Sequence, residues 1–249
     1  MWPRLQRWWG VILITMAVIA TIWLAATQQL VLYIHPRYVV FTVVMAALAL
    51  VMGILSVAVR PSGEESAPTL RPWARGATVI GLLLSGAVAV SLIIVPPATL
   101  SAATASQRDI VGSTVGSDRQ NIDDVEDADD QLIQSFTVVD WASLLRQTSD
   151  PNFFADKTAN VVGFITPMED DPENMFFVSR FTVTCCAVDA QPTGIAVYAP
   201  NWEDTFAVDD WVEISGQFEM NPSPKSDIPL VLVPTNLIAV EQPNEPYLY

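Results

Sequence analysis

Three stretches of the chain are apolar and free of charged residues: Trp8–Ala26, Val39–Val59 and Gly76–Val95, of 19, 21 and 20 residues. About 20 helical residues cover the ~30 Å of a bilayer's hydrocarbon. The pattern therefore predicts three membrane-spanning helices at about 8–26, 39–59 and 76–95. Trp8, Trp9 and Trp73 border them at one level, and Trp23, Tyr33 and Tyr38 at the other, as interfacial aromatics do. Beyond residue 135 the pattern changes. Asp140–Arg146 reads as a short helix with Asp140 as its N-cap. Five runs bounded by Pro, Gly, Asn or Asp then read as strands: Asn160–Thr166, Met175–Val188, Gly194–Ala199, Trp211–Met220 and Leu230–Val240. The expected fold is three transmembrane α-helices followed by a small all-β domain. An OB-like barrel fits first and a small sandwich second.

Charge divides the chain in the same way. Residues 1–95 hold six arginines against Glu64 and Glu65, whereas residues 96–249 hold six basic and 25 acidic residues. The net charge of −15 argues against a nucleic-acid partner, whose phosphates need a basic surface. Arg4 and Arg7 precede the first run, Arg60, Arg71 and Arg75 follow the second, and only Arg37 lies between the first two. The positive-inside rule then puts the N-terminus in the cytoplasm and, after three spans, the C-terminal domain outside. The expected domains are a membrane domain at 1–97, a flexible acidic linker at 98–135 and an extracytoplasmic domain at 136–249. Pro96-Pro97 ends the third helix, and the linker's composition, including DDVEDADD at 123–130, is that of a solvated tether. In the third run Ala77, Gly81, Ser85 and Ala89 form a stripe of small residues, which allows close packing against this chain's own other helices or against another membrane protein; a homo-oligomer is a separate partner expectation.

In Met175–Val188 the odd positions Phe177, Ser179, Phe181, Val183 and Cys185 read as the core face. Arg180, Thr182, Thr184 and Cys186 fall on the opposite face. Arg180, Thr184, Cys186 and the nearby Asp189 are thus the candidates to face a ligand or partner. The two adjacent cysteines leave three readings open: structural or unpaired thiols, metal ligands and redox chemistry. A bond between them is strained, because neighbouring Cα atoms lie about 3.8 Å apart and ordinary disulfides need about 4.4 Å or more. Joint metal binding needs a bulge that turns one side chain. Given that, Cys185, Cys186 and Asp189, with His35 of the outer loop, offer a mixed S, O and N set suited to zinc.

The string RFTVTCCAVDAQPTG at Arg180–Gly194, with its CC-x-x-D-A core, resembles the YcgQ-type family of bacterial permease-subunit proteins. YIHPR in the outer loop, GFI at Gly163–Ile165 and the terminal PYLY are similar to that family too. The resemblance covers the whole architecture, helices first and a strand-rich domain last. It implies work beside a separate multi-span permease and a link to zinc homeostasis.

No HExxH, Walker A or GxSxG motif occurs, and the single histidine lies in the membrane half. The expectation is a non-enzyme: an accessory subunit of a membrane permease, embedded in lipid, with a metal ion such as zinc as the candidate cargo. An extracytoplasmic thiol redox protein or a tethered ligand-binding module are the alternatives.

Overall fold

The computed structural model describes residues 2–59, 76, 80–81, 83–88, 91 and 100–249, apart from 109, 111–119 and 126–128. It comprises two compact units, Met1–Ala98 and Thr99–Tyr249.

In the first unit, helices α1 (Trp2–Ala26) and α2 (Val39–Val59) are joined by two single turns of 3-10 helix, Gln29–Leu32 and Pro36–Tyr38. The hydroxyls of Thr15, Thr21 and Thr27 donate to carbonyls one turn back, so these polar groups need no outside partner. Val18, Ala20 and Leu24 of α1 are buried. Val40, Phe41, Leu48 and Met52 of α2 are exposed, as lipid-facing side chains are. One helix among the described residues is long and apolar enough to cross a membrane: 36–55, with a mean hydropathy of 2.6. The described apolar part of α1, Val11–Ala26, is shorter. The expectation of three spans is thus corrected to one candidate, and most of the third run lies outside the described residues.

The second unit holds short helices α3 (Ala102–Ala105), α4 (Ile122–Val125), α5 (Asp130–Gln134), α6 (Val138–Gln147) and α7 (Pro151–Phe154). Its strands are β1 (Thr158–Pro167), β2 (Met175–Thr182), β3 (Gln191–Tyr198), β4 (Trp211–Met220), β5 (Leu230–Ala239) and β6 (Tyr247–Leu248). Helix α6 starts two residues earlier than expected. Thr137 is its N-cap, and Asp140 instead accepts from the Thr137 backbone N–H at 2.8 Å and from its hydroxyl at 2.6 Å.

The strands form one sheet in the order β1-β4-β5-β3-β2-β6, and β1 also pairs with β2. Five strands are thereby closed into a ring of hydrogen bonds. All pairs in that ring are antiparallel except β3 with β5. Strand β1 serves two partners: Thr158–Phe164 pairs with β4 and Phe164–Pro167 with β2. Gly163 sits at the change of partner. A Cβ there would lie 2.6 Å from the Ser179 carbonyl oxygen and 2.9 Å from Val178 Cγ2, so only glycine lets the strands come this close.

The core inside the ring includes Val161, Ile165, Phe176, Val178, Ile195, Val197, Ile214 and Leu232, and Trp141 of α6 and Phe154 of α7 are packed into it. The expected facing of β2 is therefore reversed: the even residues Phe176 and Val178 point to this core. The odd residues are buried as well, on the outer side of the sheet, where Phe164 stacks on Phe181 at 5.4 Å. Residues expected to be a free tether contribute to the cover: Ala102, Ala105 and Ile110 are buried, α3 packs on β1, and Ile110 lies against Gly194.

Candidate functional site

Strand β2 stops at Thr182 rather than running to Val188, and the cause is Asp189. Its Oδ1 accepts from the Thr184 backbone N–H at 3.0 Å; its Oδ2 accepts from those of Cys185 at 2.7 Å and Cys186 at 3.2 Å. Three successive amides that a strand would offer to a neighbour are thus gathered on one carboxylate, and the chain turns. A single 3-10 turn at Ala187–Asp189 completes the loop, with the Asp189 N–H bonded to the Cys186 carbonyl at 3.0 Å. Both ends are anchored. Val183 N–H donates to the Leu248 carbonyl of β6 at 2.9 Å, and the Arg108 guanidinium donates to the Ala190 carbonyl.

This turn overrides the strand alternation. Cys185, expected in the core, is exposed, and Cys186, expected on an open polar face, is half-buried. Their sulfurs lie 3.6 Å apart on the same side, as free thiols. With one Asp189 oxygen they place three potential ligand atoms within 4.8 Å of one another. Thr184 lies on the same loop and is exposed.

The electrostatics follow from these contacts. The Cys185 thiol is pushed up to about 12, first by its hydrogen bond to Asp189 and then by that to Cys186. Burial works to raise the Asp189 carboxyl, but the Cys185 thiol and the three amides outweigh it and hold the group below its usual value. Cys185 is therefore a poor thiolate in the free loop. The donor set nevertheless fits a soft divalent cation. Two thiolates about 2.3 Å from a tetrahedral zinc stand about 3.8 Å apart, close to the spacing already present.

Two other expected residues are engaged in other contacts. Arg180 does not face a ligand. Its side chain is buried over the Trp211 ring and donates to the Val162 carbonyl at 3.2 Å and the Glu245 carbonyl at 2.9 Å. Burial brings its guanidinium down to about 10. It ties the segment before β6 to the sheet. His35 belongs to the first unit, where its Nδ1 accepts from the Arg37 N–H at 3.1 Å and caps a 3-10 turn.

A second polar cluster joins the β1–β2 loop to the β4–β5 loop. Asp171, almost fully buried, accepts from the Ser223 hydroxyl at 2.6 Å, Lys225 Nζ at 3.0 Å and Asn174 Nδ2 at 2.9 Å. Its partners Ser223 and Lys225 lie more than fifty residues away, so nothing in the local sequence separated this acid from its solvated neighbours.

No curated protein and no solved structure matches the chain. A family model, the DUF1980 C-terminal domain, matches residues 119–249, more than half of the chain and all of the sheet with its cysteine loop. The chain therefore belongs to the DUF1980 C-terminal domain family.

Proposed function

We propose that this protein is a membrane-anchored accessory subunit of a metal permease. In this reading its C-terminal OB-like barrel holds a soft divalent cation, with zinc the first candidate, on Cys185, Cys186 and Asp189. One observation carries the reading: three ligand atoms of mixed sulfur and oxygen character lie within 4.8 Å of one another on a loop anchored at both ends. The YcgQ-type resemblance supplies the permease context, and the arginine asymmetry supplies the N-in orientation and the extracytoplasmic placement. Three protein ligands leave a fourth tetrahedral position open. An open position suits an ion that is taken up and handed on more than one locked into a structural site. Binding must displace the thiol protons, so affinity rises with pH, and the raised Cys185 thiol sets the range over which it rises.

The test is competition between the purified full-length protein in mild detergent and a chromophoric zinc chelator. One zinc per chain is expected, lost in Cys185→Ser and Cys186→Ser and weakened in Asp189→Asn. No zinc uptake by the reduced protein sinks the metal reading. A thiol pair that instead titrates reversibly between reduced and oxidised states would favour the redox alternative. Recovery of a multi-span partner after mild-detergent capture tests the subunit role separately, and recovery of this chain alone from cells holding that partner counts against it.

A further inference from the structure

A cavity of about 140 Å³ lies between α6, the outer side of β3 and the end of the β4–β5 loop. Leu145, Phe177, Ile195, Ile228 and Leu230 contribute to a mostly apolar lining, and Arg146 is the one charged residue among those that border it. The Nε and Nη2 atoms of Arg146 are closed off from solvent and have no hydrogen-bond partner. The ion pairs among the described residues all belong to Lys225. Arg146 stands in the last turn of α6, where a cation suits the negative end of the helix. That role leaves the two buried N–H groups unanswered, and burial lowers the guanidinium from its usual value. These two atoms form the side edge of the guanidinium, one of the edges that receives both oxygens of a carboxylate in parallel. A charged edge left unpaired in an apolar wall is costly, and an anion is the group that relieves it. The domain is strongly acidic as a whole, yet Arg146 has no ion-pair partner among the described residues.

We propose that this cavity binds a small monocarboxylate with an apolar body. The carboxylate takes the Nε–Nη2 edge of Arg146 after a turn of its last side-chain torsions, and the body lies between Leu145, Phe177 and Ile228. The volume sets the size, since a cavity of about 150 Å³ holds a benzene ring. The ligand thus has about six apolar heavy atoms beside the carboxylate. Lipid and peptide chains are too large to enter whole. This site is separate from the cysteine loop, and its occupancy does not depend on the metal reading.

Hexanoate and benzoate are the probes, with hexanamide and benzamide as uncharged partners of the same shape. Binding to the full-length protein in detergent is read by titration calorimetry and by the shift of the thermal midpoint. Saturable binding of the acids in the millimolar range is expected for ligands of this size, with the amides at least about tenfold weaker. Arg146→Gln should lose about tenfold or more, and Arg146→Lys should fall between it and the native protein. Ala196→Leu keeps the arginine but fills the cavity, and should abolish binding, which guards against a misfolded arginine variant. Equal binding of acid and amide, unchanged binding in Arg146→Gln, or no saturable binding of either acid overturns the proposal.

Discussion

Asp171 and Asp189 solve opposite problems with the same side chain. Asp171 is closed in by three side chains and joins two loops that are distant in sequence. Asp189 takes three backbone amides of its own loop and leaves two thiols displayed beside it. In both, hydrogen bonds lower the carboxyl against the pull of burial. The difference lies in what the bonds spend. At Asp171 the donors are side chains, and nothing is left to meet a ligand. At Asp189 the donors are main chain, so the side chains of the same residues stay available. A loop organised through its backbone can carry chemistry; one organised through its side chains is a fastening.

The largest test of that contrast is Asp189→Asn. The carboxylate that most raises Cys185 is removed, so its thiolate fraction grows. Alkylation of Cys185 at pH 8 should speed up by at least about tenfold, followed with a Cys186→Ser background. An unchanged rate would mean that the carboxylate does not govern the thiol. Asp171→Asn should leave that rate alone.

The ring itself sets the next scale. Gly163→Ala drives a methyl against the Ser179 carbonyl oxygen and should cost about 1–3 kcal/mol, measured by urea unfolding followed through tryptophan fluorescence. Full native stability would show that the change of partner in β1 tolerates a side chain.

Asp171 predicts a pH effect of definite sign. Ser223 lowers its carboxyl most, burial opposes, and Lys225 and Asn174 add to the lowering. A lowered native value means that its contribution is complete above the unfolded carboxyl value near about 4. It is lost as pH falls through the lower native value. The thermal midpoint of the native protein should therefore drop in acid, and Asp171→Asn should flatten that part of the curve. The smallest effect belongs to Lys225→Met. This lysine is half exposed, so losing its ion pairs should leave the thermal midpoint nearly unchanged, and a clear drop would show that charge, rather than the Ser223 hydroxyl, holds the loops together.

The same contrast explains what the sequence disclosed. Strand β4 was legible to the residue, because Val212, Ile214, Phe218 and their exposed neighbours alternate cleanly between core and solvent. The start of β5 was legible from the proline-rich turn before it. Strand β2 was legible as a strand but not in its facing or its end. Both its faces are buried, so alternation carries no information there. Its end depends on where the Asp189 carboxylate reaches, which hydrophobic pattern does not record. The grouping CC-x-x-D was visible as spacing, while the shared side of the two sulfurs appeared only once the strand was seen to stop. The cover over β1 and Gly194 comes from residues around 100–110, whose small and polar composition reads as a tether. Arg146 carried no signal in the sequence beyond ending the expected helix.

The double service of β1 has a further consequence for how this domain meets other proteins. Sheets commonly recruit a partner by letting its extended segment hydrogen-bond along an open side. Here β1 covers β2 along Phe176–Ser179, and β6 covers it along Phe181–Thr182. The opposite side of β1 is taken by β4 along Thr158–Phe164. Little main chain remains on offer at this seam. A partner docking at this seam would therefore meet loops and side chains, such as the exposed Val188 beside the cysteines, rather than add a strand.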